Sequence, residues 1–339
     1  MVKGGKSLSS VPQIALVGCG YWGKNLCRNF HALGALAAVV DATENGQATA
    51  RSIASNAIIS NNFDDILGAD QIQGVALATP AETHAELAIQ AMRAGKDVFV
   101  EKPMALSISD AEEMQKVANE TGRILMVGHL LEYHPAVLKL RELVDSGELG
   151  KINYIYSNRL NFGKVRTEEN ALWSFAPHDV AVIIRVLGQS PIEVSASGGA
   201  YLKKDIADVT VSNLRFSDNT RAHIFVSWLH PYKEQRLVVV GDKKMALFND
   251  VASDGEKLQL YPQSVGFDGT MPILKREDAE FIKHADTEPL REECAHFLEC
   301  MKSRNKPLTD AQSGIEVLKV LHACQKSIKK NGVPISLRN

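Results

Sequence analysis

A lysine at the end of an apolar run is the first residue whose type and position could do chemistry. Lys102 stands in Glu101-Lys102-Pro103, directly after the apolar run Val98-Phe99-Val100. Pro103 favours an extended backbone at Lys102, so the ammonium group can project beyond the end of a buried strand. There it could hold a hydroxyl group and stabilise the oxygen that becomes a carbonyl. A solvated loop would show the same charged pair, and the motif alone leaves both interpretations open.

A histidine is the second candidate for proton chemistry. His178 follows Pro177, and the pattern predicts that a helix begins here and ends near Gly188. A helix N-terminus disfavours the charged imidazole, and a neutral histidine can take the proton of an alcohol during its oxidation. The alternative is a histidine that packs at or caps the helix start. Asp179 is interpreted as a carboxylate that caps the same helix.

A glycine-rich turn near the N-terminus predicts the cofactor. The apolar run Ile14–Val17 leads into a turn of sequence GCGYWG, whose candidate cofactor residues are Gly18, Gly20, Tyr21, Trp22 and Gly23. A helix-like segment and a second apolar run follow, and that run ends in Asp41. This order of strand, turn, helix, strand and acid is typical of a dinucleotide-binding unit. Asp41 would bind the adenosine ribose, and no Lys or Arg directly follows it to hold a 2′-phosphate, which favours NAD over NADP.

Two further loops are predicted to face the cofactor. One contains Thr79 and Pro80, with Thr83 as the cap of the next helix and His84 in its first turn. His84 is interpreted either as a ligand of the cofactor ribose or as a solvated surface histidine. The other loop contains Glu101 and Lys102.

The elements that must position these residues alternate between strand and helix. Five short apolar runs fall at 14–17, 37–40, 74–78, 97–100 and 124–127, and helical segments lie between them. Such alternation predicts a doubly wound parallel sheet of the Rossmann type. From residue 152 onward, several strand patterns with short turns predict an open, mostly antiparallel sheet in a second α/β domain. The predicted organisation is a flexible lead (1–10), an NAD-binding domain (11–128) and a substrate-binding and oligomerisation domain (129–339).

Composition excludes several classes of protein. A formal net charge of −2 and a pI near 6.6 argue against non-specific binding to nucleic acid. No apolar run is long enough to span a membrane, and the lead lacks the apolar centre of a secretion signal. The five cysteines show no CxxC pair, so we expect free thiols in the cytoplasm. No metal site is predicted.

Three segments together resemble one enzyme family. The run Glu101-Lys102-Pro103, the GCGYWG turn and the segment ATPAETHAELA resemble the Gfo/Idh/MocA oxidoreductases. The resemblance implies a Rossmann domain followed by an α/β domain with an open sheet, and a substrate held between them. It also implies that the lysine matching Lys102 and the histidine matching His178 work together. The residues before Pro135, here Tyr133 and His134, would contact the substrate.

The surroundings of His178 resemble one branch of that family. Many relatives carry an Asp four residues before the histidine, where this chain has Ser174, so the group that orients His178 is open and Lys102 is expected to take more of the proton transfer. The LWxxxPHD form is similar to sugar-nucleotide 3-dehydrogenases, which oxidise the C3 hydroxyl of UDP-N-acetylglucosamine or its uronic acid. Their 3-keto products are aminated by PLP-dependent aminotransferases, in routes such as lipopolysaccharide and lipid A biosynthesis. The resemblance favours UDP-N-acetylglucosamine slightly.

Polar and basic residues before His178 are the candidates for substrate binding. They are Arg159, Asn161, Lys164, Arg166, Asn170, Trp173 and Ser174. The basic members suit a diphosphate or carboxylate, and a solvated strand edge would show them equally well. Trp173 is interpreted either as a stacking platform for a sugar or base or as a core residue.

Two other functions and one assembly are also compatible with the sequence. The chain could be an inositol, polyol or free-sugar dehydrogenase, or a ketoreductase running in the opposite direction. The second alternative is a non-catalytic NAD sensor; such a protein would lack Lys102 or His178, and both are present here. A homodimer or homotetramer is expected through an open sheet face, on which the alternation places Val209, Val211, Ile224 and Val226.

Overall fold

The structure is a computed structural model that describes residues 11–163 and 165–338. The chain forms two compact units. The first comprises the described residues through Gly128 together with Glu288–Ile315, and the second comprises His129–Thr287 together with the residues from Glu316 onward. The predicted flexible lead (1–10) and Lys164 of the predicted basic cluster lie outside the described residues.

The first unit is built on a parallel sheet of six strands in the order β3-β2-β1-β4-β5-β6. Its elements are β1 (Ile14–Val17), α1 (Gly23–Ala32), β2 (Leu36–Val40), α2 (Glu44–Ile53), β3 (Ile58–Ser60), α3 (Asp64–Leu67), β4 (Gly74–Leu77), α4 (His84–Arg93), β5 (Asp97–Glu101), α5 (Ile108–Thr121) and β6 (Leu125–Gly128). Strands β1, β4, β5 and β6 are buried along their whole length, as strands covered on both faces must be. The predicted Rossmann sheet is confirmed, and the strand that the sequence pattern missed is the short edge strand β3.

The second unit is built on a mixed sheet of nine strands in the order β16-β13-β12-β11-β7-β10-β9-β8-β17. Its elements are α6 (Pro135–Asp145), β7 (Ile152–Phe162), α7 (Ala171–Leu187), β8 (Glu193–Gly199), β9 (Val209–Arg215), β10 (Arg221–Ser227), β11 (Leu229–Gly241), β12 (Met245–Asn249), β13 (Leu258–Tyr261), β14 (Ser264–Asp268), β15 (Met271–Lys275), β16 (Glu280–Phe281) and β17 (Ile335–Ser336). The pair β7–β10 is parallel, and the other pairs of this sheet are antiparallel. The predicted mostly antiparallel sheet is confirmed. Strands β14 and β15 form a separate hairpin in a region where the sequence showed no pattern.

The helix near the C-terminus belongs to the first unit, which differs from the predicted domain boundaries. Helix α8 spans Pro289–Ser303, and helix α9 spans Ala311–Lys329. Phe297 of α8 packs edge-on against Phe30 and Phe99, with ring centroids 6.4 and 5.9 Å away. Arg304, directly after α8, binds both carboxylate oxygens of Asp97 at 2.6 and 3.0 Å. These contacts place 288–315 with the Rossmann sheet, so the second domain is not the continuous segment 129–339.

The two faces of the nine-stranded sheet differ. Helix α7 packs on β7, β9 and β10, and the alternate residues Ile155, Leu214 and Ile224 face it and are buried. The registers place Tyr154, Val211 and Phe281 on the opposite face, where they are exposed.

The prediction for that open face was partly wrong. Ile224 and Val226 are 1% and 0% exposed, because their parity along β10 directs them to the helices. Of the predicted apolar set, Val211 is the exposed member. Within the described ranges no helix is long and apolar enough to cross a lipid bilayer.

Candidate cofactor and catalytic site

The glycine turn has the geometry of a dinucleotide-binding loop. Gly18 has a φ of +89°, and a Cβ there would lie 2.8 Å from the Ala78 carbonyl oxygen. At Gly23 a Cβ would lie 2.0 Å from the Gly18 carbonyl oxygen, so helix α1 can start close to strand β1 only without a side chain. Gly20 is different, because a Cβ there would meet no heavy atom within 4 Å. Its open side, at the start of a helix with no side-chain cap, fits a pyrophosphate.

Asp41 is held rigidly at the end of β2. Its carboxylate accepts hydrogen bonds from the Cys19 N–H at 2.7 Å and from the Thr43 N–H and hydroxyl at 2.8 and 2.7 Å. Burial alone would raise the pKa of Asp41, but these hydrogen bonds outweigh it and lower the pKa. A carboxylate offers about four acceptor positions, so one remains for a ribose hydroxyl. An added Cβ at Gly46 would lie 2.1 Å from the carboxylate carbon.

Glu101 links the glycine turn to the strand end that carries Lys102. The indole N–H of Trp22 donates to Glu101, and the backbone N–H of Lys102 donates to the same carboxylate at 3.2 Å. Burial raises the pKa of Glu101 to about 7, although both hydrogen bonds and the charge of Lys102 act in the opposite direction. Tyr21 is 80% exposed on the same turn. Glu101 is therefore fixed by protein groups beside the predicted cofactor position.

His84 does not have a ring nitrogen available for a ribose. It is 1% exposed, and its two nitrogens lie 2.9 Å from the carbonyl oxygens of Pro103 and Thr79. Burial lowers the pKa of His84, although both contacts raise it. The predicted ribose contact is corrected: His84 ties the loop after β4 to the loop after β5. Thr83 makes no cap bond to the next helix and instead donates to the Pro80 carbonyl at 2.8 Å.

His178 lies inside a helix and not at its start. Helix α7 begins at Ala171, and the side chain of Asn170 caps it by accepting from the Trp173 N–H at 3.2 Å. Pro177 lies inside the helix, whereas the sequence pattern predicts it in the first turn. The argument that a helix N-terminus keeps His178 neutral therefore fails, because the dipole acts only within the first turn.

Asp179 and Arg159 form a buried ion pair, which overturns two predictions. The Nε and Nη2 atoms of Arg159 lie 2.9 and 3.3 Å from the Asp179 carboxylate, and the Ser157 hydroxyl donates to it at 2.6 Å. Arg159 and Asp179 are 8% and 3% exposed. Burial would lower the pKa of Arg159, and the facing carboxylate raises it. Asp179 is not a helix cap, and Arg159 turns towards α7 and not towards a solvated diphosphate.

Tyr133 and His134 are also largely buried, with 3% and 6% exposure. The His134 Nδ1 caps helix α6 by accepting from the Ala136 N–H at 3.1 Å. Burial lowers the pKa of His134 to about 4, although Asp250 raises it. His134 is therefore a neutral cap in this structure.

Two predicted substrate residues hold α7 against α9. Asn170 and Trp173 both donate to the Gln325 side chain, at 2.7 and 3.2 Å. The Trp173 ring packs edge-on against His322 with centroids 5.0 Å apart, which favours the core interpretation. Ser174 is buried one turn into the helix.

The remaining predicted residues lie near the end of β7. Asn161 is half-buried, and within the described chain its side-chain oxygen has no hydrogen-bond partner. Arg166 pairs with Glu169 at 3.1 Å on an exposed loop. These two residues stay compatible with a polar ligand.

Sequence reasoning missed Thr43 and Ser157, which orient the carboxylates of Asp41 and Asp179. A signal existed for Thr43, because a threonine two residues after an acid at a strand end can donate to it and also cap the following helix. No local signal marked Ser157, which lies on a different element from its partner.

Family models match most of the chain. The model described as "Oxidoreductase family, NAD-binding Rossmann fold" matches residues 13–129, and the model of the GFO/IDH/MocA C-terminal domain matches residues 137–247. These ranges fall on the two sheets, and the first contains the glycine turn, Asp41 and Lys102. The first unit is thus an NAD-binding domain. The open space beside Gly20 and the hydrogen-bonded carboxylate of Asp41 agree with this.

Relatives with several activities are similar to this chain. UDP-N-acetylglucosamine 3-dehydrogenase of Acidithiobacillus ferrooxidans is 25% identical over 304 residues, covering 89% of this chain and 93% of the relative. Its solved structure has a TM-score of 0.81 at 23% identity, covering 94% of this chain and 97% of that one. Inositol 2-dehydrogenase of Rhizobium meliloti is 26% identical over 277 residues, covering 78% and 81%.

A third relative is matched over a shorter length. The 2,7-anhydro-N-acetylneuraminate hydratase of Mediterraneibacter gnavus is 29% identical over 244 residues, which cover 68% of this chain and 65% of the hydratase. The chain thus spans about two thirds of the hydratase's length. By the two family models and by its fold, the chain belongs to the Gfo/Idh/MocA family of NAD-dependent oxidoreductases.

Proposed function

We propose that this protein oxidises the C3 hydroxyl of a nucleotide-linked sugar, UDP-N-acetylglucosamine, to a 3-keto sugar with NAD as the oxidant. The observation that carries the proposal is the hydrogen bond from Trp22 to Glu101. It ties the strand end bearing Lys102 to the turn that fits the pyrophosphate. A lysine so placed can act on a substrate hydroxyl next to the bound cofactor.

The chain's own residues would hold the alcohol and move its proton. Bound NAD supplies the hydride acceptor, C4 of the nicotinamide, so the alcohol carbon loses a hydride and its oxygen loses a proton. Lys102 would donate a hydrogen bond to that oxygen and stabilise the negative charge that grows on it. Glu101 beside it, with its pKa raised to about 7 by burial, changes charge in the pH range in which the proton leaves.

His178 is the proposed proton acceptor, because it stands in the run Pro177-His178-Asp179 that resembles the family motif. Because it lies inside α7, its orientation depends on the position of that helix. The Asn170 cap and the Arg159–Asp179 pair hold the helix to β7 and α9. These residues are therefore proposed to position the site, and Asn161 and Arg166 are the proposed contacts of the sugar nucleotide.

The sugar is proposed from the similarity to the Acidithiobacillus enzyme, which spans almost the whole of both chains. A 3-keto sugar is a substrate for a PLP-dependent aminotransferase, which would consume the product. The five cysteines are buried free thiols, which supports the cytoplasm as the compartment.

A second candidate is an inositol or free-polyol dehydrogenase. The specific observation in its favour is the buried Arg159, which removes one of the cations proposed for a diphosphate. Inositol 2-dehydrogenase is similar to this chain over a comparable length.

A panel of substrates distinguishes the two functions. The purified protein and NAD are incubated with UDP-N-acetylglucosamine, its uronic acid, UDP-glucose and myo-inositol, each with and without a 3-aminotransferase, glutamate and PLP. The aminotransferase pulls an unfavourable oxidation forward, and mass spectrometry then detects an aminated UDP-sugar. The Lys102→Ala variant is the control for contaminating dehydrogenases. NADH formed from inositol, with no aminated nucleotide sugar, would assign the enzyme to the polyol class instead.

A further inference from the structure

Glu101 is a buried carboxyl group on the side of the parallel sheet where the reacting half of the cofactor belongs. In a sheet of this strand order, a dinucleotide crosses the carboxyl ends of the strands. The adenosine falls at the end of β2, next to Asp41, so the nicotinamide half falls beyond the glycine turn, towards β4 and β5. Glu101 is the last residue of β5 and is 8% exposed.

The glycine turn itself reaches Glu101. Trp22, in that turn, donates its indole N–H to one carboxyl oxygen, and the backbone N–H of Lys102 donates to the other at 3.2 Å. The end of the neighbouring strand β6 lies against the second oxygen, because a Cβ at Gly128 would be 3.0 Å from it. The carboxyl group is thus fixed in position between the pyrophosphate turn and the strand end, and its charge is what can change.

The charged and titratable groups around Glu101 lie at the end of β5 and on α8. Burial raises the pKa of Glu101 to about 7, although its two hydrogen bonds and the charge of Lys102 lower it. Burial also raises the pKa of the Cys294 thiol of α8 well above its usual value, and the nearby carboxylates Glu293, Glu101 and Glu288 raise it further. This thiol therefore stays neutral while Glu101 changes charge near neutral pH.

We propose that Glu101 distinguishes the two redox states of the cofactor and favours the oxidised one. The nicotinamide ring of NAD⁺ carries a positive charge, and the ring of NADH carries none. An ionised carboxylate at the end of β5 attracts the first ring and not the second, and salt screens this attraction only weakly at a buried site. Hydride transfer removes the positive charge, so the reduced cofactor is held less firmly and leaves. The inference rests on the cofactor site and not on the identity of the sugar.

The ratio of two dissociation constants, the Kd for NADH over the Kd for NAD⁺, measures this preference at each pH. Groups that contact only the shared adenosine and pyrophosphate affect both constants equally and cancel from the ratio. We expect the ratio to rise about tenfold between pH 5.5 and pH 8.5, which corresponds to a difference of one unit in the pKa of Glu101 between the two complexes. Calorimetry gives the Kd for NAD⁺, and the fluorescence of bound NADH gives the other. A ratio that stays constant over this range would overturn the inference.

No substrate is present in this experiment, so its failure would leave the proposed sugar oxidation to its own test. Glu101→Gln keeps the side-chain shape and an acceptor for the indole but cannot ionise, so its ratio should stay at the low-pH value of the wild type. Trp22→Phe removes a donor that favours the ionised form, so the rise should move to higher pH. This shift remains measurable even if Glu101→Gln folds poorly.

The matched control is Glu86→Gln, which removes an exposed carboxylate from α4 of the same unit and should keep the rise of the wild type. Three results would contradict the inference. They are a rise that Glu101→Gln retains, a rise that Trp22→Phe leaves at the same pH, and a rise that Glu86→Gln abolishes.

Discussion

Removing one partner of the Arg159–Asp179 pair separates a structural role from a substrate-binding role. Asp179→Ala leaves the guanidinium group of Arg159 buried without its carboxylate, and it removes the 2.6 Å acceptor of the Ser157 hydroxyl. Arg159→Ala leaves the opposite charge, at a carboxylate whose side chain is 3% exposed. Each single variant thus places an uncompensated charge between α7 and β7.

The expected loss follows from the geometry of the pair. Two contacts of 2.9 and 3.3 Å join the groups, and breaking such a buried pair costs about 3–5 kcal/mol. Replacing both partners by apolar residues of similar volume is often neutral. The double variant Arg159→Met/Asp179→Leu should therefore recover most of the stability that either single alanine variant loses.

Urea unfolding followed by tryptophan fluorescence measures these losses. In a Trp22→Phe background the two remaining tryptophans are Trp173 and Trp228, both in the second unit. Trp228 is fully buried, so its emission reports the unfolding of the unit that holds the ion pair. The single variants Arg159→Met and Asp179→Leu complete a cycle with the double variant, and the coupling energy of that cycle is the quantity of interest.

The opposite pattern would refute this reasoning. If Arg159 binds a diphosphate, Arg159→Ala should lose less than about 1 kcal/mol of stability while raising the KM for the nucleotide sugar tenfold or more, since a tenfold change corresponds to about 1.4 kcal/mol. The structure predicts the reverse for Arg159→Ala: a large loss of stability and no tenfold rise in the KM for the nucleotide sugar.

Three further predictions concern the first unit. Asp41→Ala should reduce the preference for NAD over NADP in kcat/KM at least tenfold, because the carboxylate that repels a 2′-phosphate is gone; an unchanged ratio would mean that another group reads the ribose. Lys102→Ala should lower kcat about 10²–10⁴-fold while the Kd for NAD, from fluorescence titration, stays within threefold; near-normal turnover would make the lysine structural. Glu101, whose pKa burial raises from 4.5 to about 7, binds its proton more tightly in the folded state, so its contribution to stability is present below pH 4.5 and is lost as the pH rises through 7. Glu101→Gln should remove this loss of stability, which is on the order of 2–3 kcal/mol. The melting temperatures of both proteins at pH 5 and pH 8 measure it, and an equal change between the two pH values in wild type and variant would contradict the prediction.

The parallel sheet could be read from the sequence because its signal is local. Strands β1, β4 and β5 are apolar on both faces, and each is followed by a turn and an amphipathic helix. The glycine turn and Asp41 have fixed spacing within this unit. The hairpin β14–β15 was missed although Asp268-Gly269 is a turn signal, because apolar residues on both of its faces give no alternation.

The errors fall where contacts join distant parts of the chain. The sequence pattern places the start of α7 too late because Pro177 is typical of a first turn, whereas the helix begins at Ala171 after the Asn170 cap. The Arg159–Asp179 pair crosses from a strand to a helix, and no spacing in the sequence marks it. The order of elements along the chain predicts α8 in the second domain, whereas the packing of Phe297 against Phe30 and Phe99 places this helix in the first unit.

Hydride transfer from one labelled carbon tests the central claim most directly. UDP-N-acetylglucosamine deuterated at C3 is oxidised with NAD, with the 3-aminotransferase present, and the nicotinamide product is analysed by mass spectrometry. We predict that the reduced cofactor carries one deuterium per turnover and that the Lys102→Ala variant forms almost none. Reduced cofactor without deuterium would contradict the account, because another carbon or another substrate would then have supplied the hydride.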